Sequence, residues 1–135
     1  MIRRLRVTSE ISEVRRVSDW LCALADEFQL ERELAFRALL CVDESIGNIV
    51  SHALASEREE NIDIEASIDA KNINISIRDT GEAFNPLEAS EVLLPTSVQE
   101  AKIGGLGIHL IRHYCDALSY SRVNDKNCLT LSFHR

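Results

Sequence analysis

The sequence predicts an α/β protein, a two-layer sandwich with helices on one face of a mixed, mostly antiparallel sheet. Apolar residues recur at three- and four-residue spacing through two long N-terminal segments, and isoleucines alternate with polar residues between Ile62 and Ile77. A short apolar helix then precedes two final strands that flank a polar turn. The first spacing is the period of a helix and the second that of a half-buried strand. Grouping the helices against one side of such a sheet buries both kinds of apolar surface economically.

Taken in order, residues 3–8 (Arg-Arg-Leu-Arg-Val-Thr) read as a short strand. Ser9 or Ser12 stands where an N-cap belongs, ahead of a helix to about Phe28 with Val14, Val17, Leu21, Leu24 and Ala25 on its apolar face. A second helix from about Glu31 to Leu54 carries Leu34, Ala38, Cys41 or Val42, Ile46, Ile49 and Ala53. The charged run Ser56-Glu57-Arg58-Glu59-Glu60 reads as a solvated connection with no site in it. Ile62, Ile64, Ala66 and Ile68 then alternate with Asp63, Glu65, Ser67 and Asp69. After Ala70-Lys71-Asn72 the pattern resumes with Ile73, Ile75 and Ile77, an antiparallel hairpin with one wet face. Residues 79–105 lose periodicity and hold both prolines. A helix resumes from Leu106 to Cys115, and strands at about Ala117–Val123 and Cys128–His134 flank the turn Asn124-Asp125-Lys126-Asn127.

Composition narrows the function. A chain of 135 residues is expected to form a single domain over 1–135, and 45% hydrophobic with 27% charged residues is ordinary for a globular protein. No apolar run approaches the roughly 18 residues a membrane span needs. The N-terminus Met-Ile-Arg-Arg-Leu-Arg lacks an apolar core and a cleavage site, so no secretory signal is expected. Cys22, Cys41, Cys115 and Cys128 form no CxxC pair and each sits in an apolar stretch. They read as reduced core residues of a cytoplasmic protein. A net charge of −7 without a basic stripe argues against nucleic acid. It leaves a nucleotide open, because a magnesium ion and backbone N–H groups can meet phosphate charge locally.

Three constellations carry chemistry. Glu44 and Asn48 lie four apart on the second helix and project from one face, with His52 continuing the line. Gly47 between them costs about 0.5–1 kcal/mol against alanine, which suggests a close backbone approach. Asp79-Thr80-Gly81 ends a strand, where a carboxylate can accept a hydrogen bond from an exocyclic amine while the glycine lets backbone approach a flat ring. Gly104, Gly105, Leu106 and Gly107 open the third helix, offering free N–H groups and the positive end of a helix dipole to phosphate. The Gly-Lys-Ser/Thr ending of a Walker loop is missing.

In this order the three resemble the Bergerat-type ATP-binding fold of gyrases, MutL-type proteins and histidine kinases, over roughly residues 10 to 134. The chain is most similar to the anti-sigma-factor serine/threonine kinases. Glu44 to Asn48 looks like their N box, with His52-Ala53 following; Asp79-x-Gly81-x-x-Phe84-Asn85-Pro86 resembles their first glycine box and Gly105-Leu106-Gly107 their second. The resemblance implies ATP and magnesium as cofactors. Asn48 would hold magnesium bridging the phosphates, and Glu44 would orient or deprotonate the attacking hydroxyl. Asp79 would hold the adenine amino group, with Gly81 allowing close approach. Leu87 to Lys102 would form a lid, with Lys102 beside the phosphates and the glycines cradling them. The implied partners are a STAS-type anti-anti-sigma protein as phosphoacceptor, a sigma factor, and a second copy in a homodimer, without nucleic acid or membrane.

Some positions depart from the family pattern. Ala83 replaces a usual second glycine, so its backbone must avoid positive φ, and Gly47 replaces a small hydroxyl residue. Lys126-Asn127 stands where many relatives have Gly-Thr. These departures bear on phosphotransfer rate more than on nucleotide binding. They keep open a second reading, a non-catalytic nucleotide-binding module that regulates a partner by sequestration or activation.

Overall fold

The computed structural model describes residues 1–88 and 105–135. Strand β1 (Ile2–Thr8) leads into helices α1 (Ile11–Glu27) and α2 (Arg32–Ala55), then β2 (Asn61–Ile68) and β3 (Asn72–Asp79). A short 3-10 turn (Pro86–Glu88) follows, then α3 (Gly105–Tyr114), β4 (Ala117–Val123) and β5 (Lys126–His134). The strands form one sheet in the order β1-β2-β3-β5-β4, and each pairing among the described residues is antiparallel. The expected sandwich is therefore present, and the expected mixed character of the sheet is corrected.

Period two sorts the strand residues cleanly. Ile62, Ile64, Ala66 and Ile68 of β2, Ile73, Ile75 and Ile77 of β3, and Leu129, Leu131 and Phe133 of β5 are buried beneath the helices. Each fully buried side chain of this size contributes about 1.5–3 kcal/mol through lost water contact. Helix α1 adds Val17, Leu21 and Leu24, and α2 adds Leu34, Ala38, Cys41, Val42, Ile46 and Val50 to the same core. Burial pushes the Cys41 thiol up to about 12, because a thiolate there would lose its hydration. Cys22 is exposed, which corrects the expectation that all four cysteines lie in the core. The opposite face of the sheet is polar: Arg6 pairs with Asp63 at 2.6 Å, Arg4 with Glu65 at 2.9 Å, and Ser132 donates to Asn74 at 2.6 Å.

The element ends differ from expectation in two places. Neither Ser9 nor Ser12 caps α1, whose N-cap is Glu10 without a side-chain bond. The Ser9 hydroxyl instead accepts the backbone N–H of Glu60 at 2.8 Å, stitching the end of β1 to the start of β2. The final turn contracts to Asn124 and Asp125, both at positive φ (51° and 61°), so Lys126 and Asn127 already belong to β5. Two consecutive left-handed residues make the tight turn whose twist matches a hairpin, and Asn and Asp tolerate that conformation best.

Candidate functional site

Asp79 occupies the next inward position after Ile73, Ile75 and Ile77, so the strand alternation that builds the core also delivers a carboxylate to its edge. It is buried, 7% exposed. Its Oδ1 accepts the Gly81 N–H at 3.0 Å and the Asn127 side-chain N–H at 3.0 Å. No hydrogen bond among the described residues goes to Oδ2. A Cβ on Gly81 would meet Asp79 Oδ1 at 2.9 Å, so glycine there is required by the carboxylate's own position. Ala83 keeps out of the positive-φ region, as the missing glycine requires.

Asp79 opens into a cleft of about 180 Å³ between α2 and the ends of β3 and β5. Helix α2 supplies Ser45, Asn48, Ile49, His52 and Ala53, and its C-cap adds Ser56, residues whose spacing places them along one helical face. The sheet supplies Ile77, Tyr120 and Leu129, and α3 supplies Ile111. Phe84 forms part of the wall, its ring 4.2 Å from that of His52 at a 44° tilt. Such a lining, mostly apolar with a few fixed polar groups, suits a flat aromatic ligand.

Asn48 and Asp79 of the expected constellation thus meet across one cleft, with Gly81 beside them. Glu44 lies one turn before Asn48, half-buried and outside the residues that line the cleft. Among the described residues a Cβ on Gly47 would meet nothing within 4 Å, so the expected close backbone approach comes from none of them. Gly105, Leu106 and Gly107 form the first turn of α3, whose N–H groups have no acceptor within the helix. Lys102, Gly104 and residues 89–102 of the expected lid lie outside the described residues.

Two residues of the cleft escaped the sequence reading. Glu60, assigned to a solvated connection, is 5% exposed and lines the cleft. Its carboxylate accepts the Thr80 hydroxyl at 2.7 Å and pairs with Arg58 at 3.4 Å. Asn127, assigned to a turn, is 7% exposed and holds Asp79. One signal finds both: extending the alternation backwards from Ile62 and from Leu129 by two residues places Glu60 and Asn127 inward. Arg122 completes the rim by donating to the Gly81 carbonyl at 2.8 Å, and Arg112 of α3 donates to the Leu87 carbonyl at 2.6 Å.

Residues 7–133 match the family model described as a histidine kinase-like ATPase domain. The chain belongs to this family. A serine/threonine-protein kinase, BtrW of Bordetella bronchiseptica, is 36% identical over 115 residues, covering 85% of this chain and 81% of the relative. An anti-sigma F factor of Clostridium perfringens is 29% identical over 85 residues, covering 63% of this chain and 61% of its own length. Among solved structures, the RsbU and RsbW domains of a Mycobacterium tuberculosis protein superpose with a TM-score of 0.67 at 15% identity. That match covers 98% of this chain and 33% of the other. The SiaB–SiaC complex of Pseudomonas aeruginosa gives a TM-score of 0.65 at 15% identity, over 97% and 88%. At these identities the structural likeness speaks for the fold alone, and the histidine kinase-like ATPase fold is the one built above.

Proposed function

We propose that the cleft binds ATP and that the chain is a serine/threonine protein kinase acting as an anti-sigma-factor regulator in a partner-switching module. The observation that carries this is Asp79: a buried carboxylate with one oxygen committed and Oδ2 uncommitted, lining a mostly apolar cleft. A buried acceptor of this kind suits the exocyclic amine of adenine, and the Gly81 backbone lets the ring lie close. The 36% identity to a serine/threonine-protein kinase supports phosphoryl transfer as the reaction.

The residues fit the expected cofactor. No cluster of three His, Cys, Asp or Glu able to hold a metal occurs among the described residues. A magnesium ion carried by nucleotide phosphates needs only one or two protein oxygens, and Asn48 offers one. Magnesium there would neutralise phosphate charge. The N–H groups at the start of α3, from Gly105 to Gly107, would meet phosphate charge; Lys102 and Gly104, assigned to the phosphates by the resemblance, lie outside the described residues. Glu44 would accept the proton of the attacking hydroxyl as its oxygen bonds to the γ-phosphorus and the bond to the β,γ-bridging oxygen breaks, releasing ADP. Such a transfer needs mainly positioning and charge stabilisation.

A STAS-type anti-anti-sigma protein is the phosphoacceptor in this proposal, with a sigma factor as the sequestered partner. A homodimer and a cytoplasmic location belong to the same reading. The alternative, a non-catalytic nucleotide-binding module, is favoured by one observation, that Glu44 does not line the cleft. Incubation with γ-labelled ATP and a panel of STAS proteins decides between them. Label on a serine or threonine is the expected result; ATP binding without transfer to any STAS protein supports the module instead.

A further inference from the structure

The side chain of Asn127 has no capacity left for a ligand. Its amide donates to Asp79 Oδ1 at 3.0 Å and to the Glu82 carbonyl at 2.8 Å. Its Oδ1 accepts the Phe84 N–H at 3.1 Å and the Tyr120 hydroxyl. An asparagine offers two donors and one carbonyl with two lone pairs, so this set fills it. The orientation is also forced. Rotating the amide by half a turn would set its carbonyl against the Asp79 carboxylate and its NH2 against the Phe84 N–H. Whatever Asn127 does in the cleft, it does through Asp79.

We propose that Asn127 is a positioning residue that sets nucleobase selectivity, by committing Asp79 Oδ1 and leaving Oδ2 as a fixed acceptor. This rests on the ATP-site reading above and adds to it the identity of the group that determines which purine is taken. A buried carboxylate held as a pure acceptor favours a purine with an amino group at its 6-position. It rejects a purine with a carbonyl there, because two acceptors would face each other without water between them. The Tyr120 hydroxyl contributes by locking the amide carbonyl, and β5 contributes by placing Asn127 opposite Asp79 in the ladder.

The test compares magnesium-dependent binding of ATP and ITP, which differ at that position, by calorimetry from about pH 5 to 8. Wild type is expected to favour ATP by tenfold or more, as one charge-assisted hydrogen bond allows on the order of tenfold to hundredfold. Asn127→Asp sets a second carboxylate against Asp79, and the two must share a proton. The ATP-to-ITP ratio is expected to fall about tenfold and ATP affinity to become pH-dependent. A merely structural residue would weaken both nucleotides equally and leave the pH profile flat, and that result overturns the proposal. Should Asn127→Asp fail to fold by circular dichroism, Tyr120→Phe serves, with a drop in the ratio of about twofold to threefold expected and an unchanged ratio counting against. Wild type binding neither nucleotide defeats the ATP-site reading itself and the inference with it; wild type binding ATP with an unaltered ratio in the variants defeats the inference alone.

Discussion

Asp79 and Asn127 face each other across the β3–β5 ladder, and the amide of one donates to the carboxylate of the other at 3.0 Å. The pairing places a carboxylate and its fixed donor at the end of the ladder, where the isoleucine core gives way to the cleft. Asp79→Asn keeps the size of the side chain and removes the charge that accepts the bond. ATP affinity is expected to fall about tenfold to hundredfold, the worth of a hydrogen bond to a charged group. Calorimetric titration of the variant with magnesium and ATP measures it; undiminished affinity would remove Asp79 from the site.

The two glycines near the cleft predict opposite outcomes. Gly81→Ala drives a methyl group to 2.9 Å from Asp79 Oδ1, so the carboxylate must turn and give up its bond to Asn127. A stability loss of about 1–2 kcal/mol and roughly tenfold weaker ATP binding are expected. Gly47→Ala meets no described residue within 4 Å in mid-helix, so it should gain about 0.5–1 kcal/mol from helix propensity. Urea denaturation of both variants checks the signs.

Much of the fold is legible in the sequence, and what is not has a physical cause. The helices and the Ile62–Ile77 hairpin declare themselves because burial enforces periods of 3.6 and two along long stretches. Asp79 and Gly81, which line the cleft, are legible because a carboxylate–glycine pair at a strand end is a local signal. Glu60 and Asn127 were missed because polar residues among charged or turn-forming neighbours look solvated, although the strand alternation carries them inward. Ser9 misled for a related reason. Its hydroxyl suits an N-cap, but the backbone of Glu60, distant in sequence, claims it.

Helix α2 ends with Glu57 at φ 55°, its N–H donating to the Leu54 carbonyl while the Arg58 N–H reaches the Ala53 carbonyl at 3.0 Å. This is the left-handed closure in which glycine is favoured, since a Cβ there clashes with the following carbonyl. Glu57→Gly relieves the clash at some cost in backbone entropy, for an expected net gain of about 0.5–1 kcal/mol. The midpoint of urea denaturation should rise with an unchanged slope.

Two aspartates are expected to contribute to the response to acid. The Arg6 guanidinium bonded to Asp63, and the backbone N–H groups of Lys71 and Asn72 on Asp69, hold both carboxyls below the ordinary value of 3.8. Their contribution is therefore complete above 3.8 and is lost as pH falls through the lower folded values. Thermal melts should show stability declining below 3.8. The double variant Asp63→Asn, Asp69→Asn should start less stable at neutral pH and decline less steeply. Equal slopes for the two proteins would assign the acid response elsewhere.

Glu44 and Asn48 sit one helical turn apart but stand in different relations to the cleft, and under the proposed function that difference would separate chemistry from binding. Asn48 lines the cleft; Glu44 does not, and its carboxylate has no hydrogen-bond partner among the described residues. A carboxylate in this position can accept a proton from a hydroxyl presented by a docked protein without touching the nucleotide. Glu44→Gln should then bind ATP with magnesium within about threefold of wild type while phosphoryl transfer falls about 10²–10⁴-fold, the range of a general base. Asn48→Ala should do the reverse in order: magnesium-dependent affinity goes first, and turnover falls because nucleotide is no longer held. Single-turnover transfer at saturating ATP distinguishes the two variants, since saturation rescues a binding defect and leaves a missing base unrepaired. Transfer at the wild-type rate by Glu44→Gln would move the base to another residue.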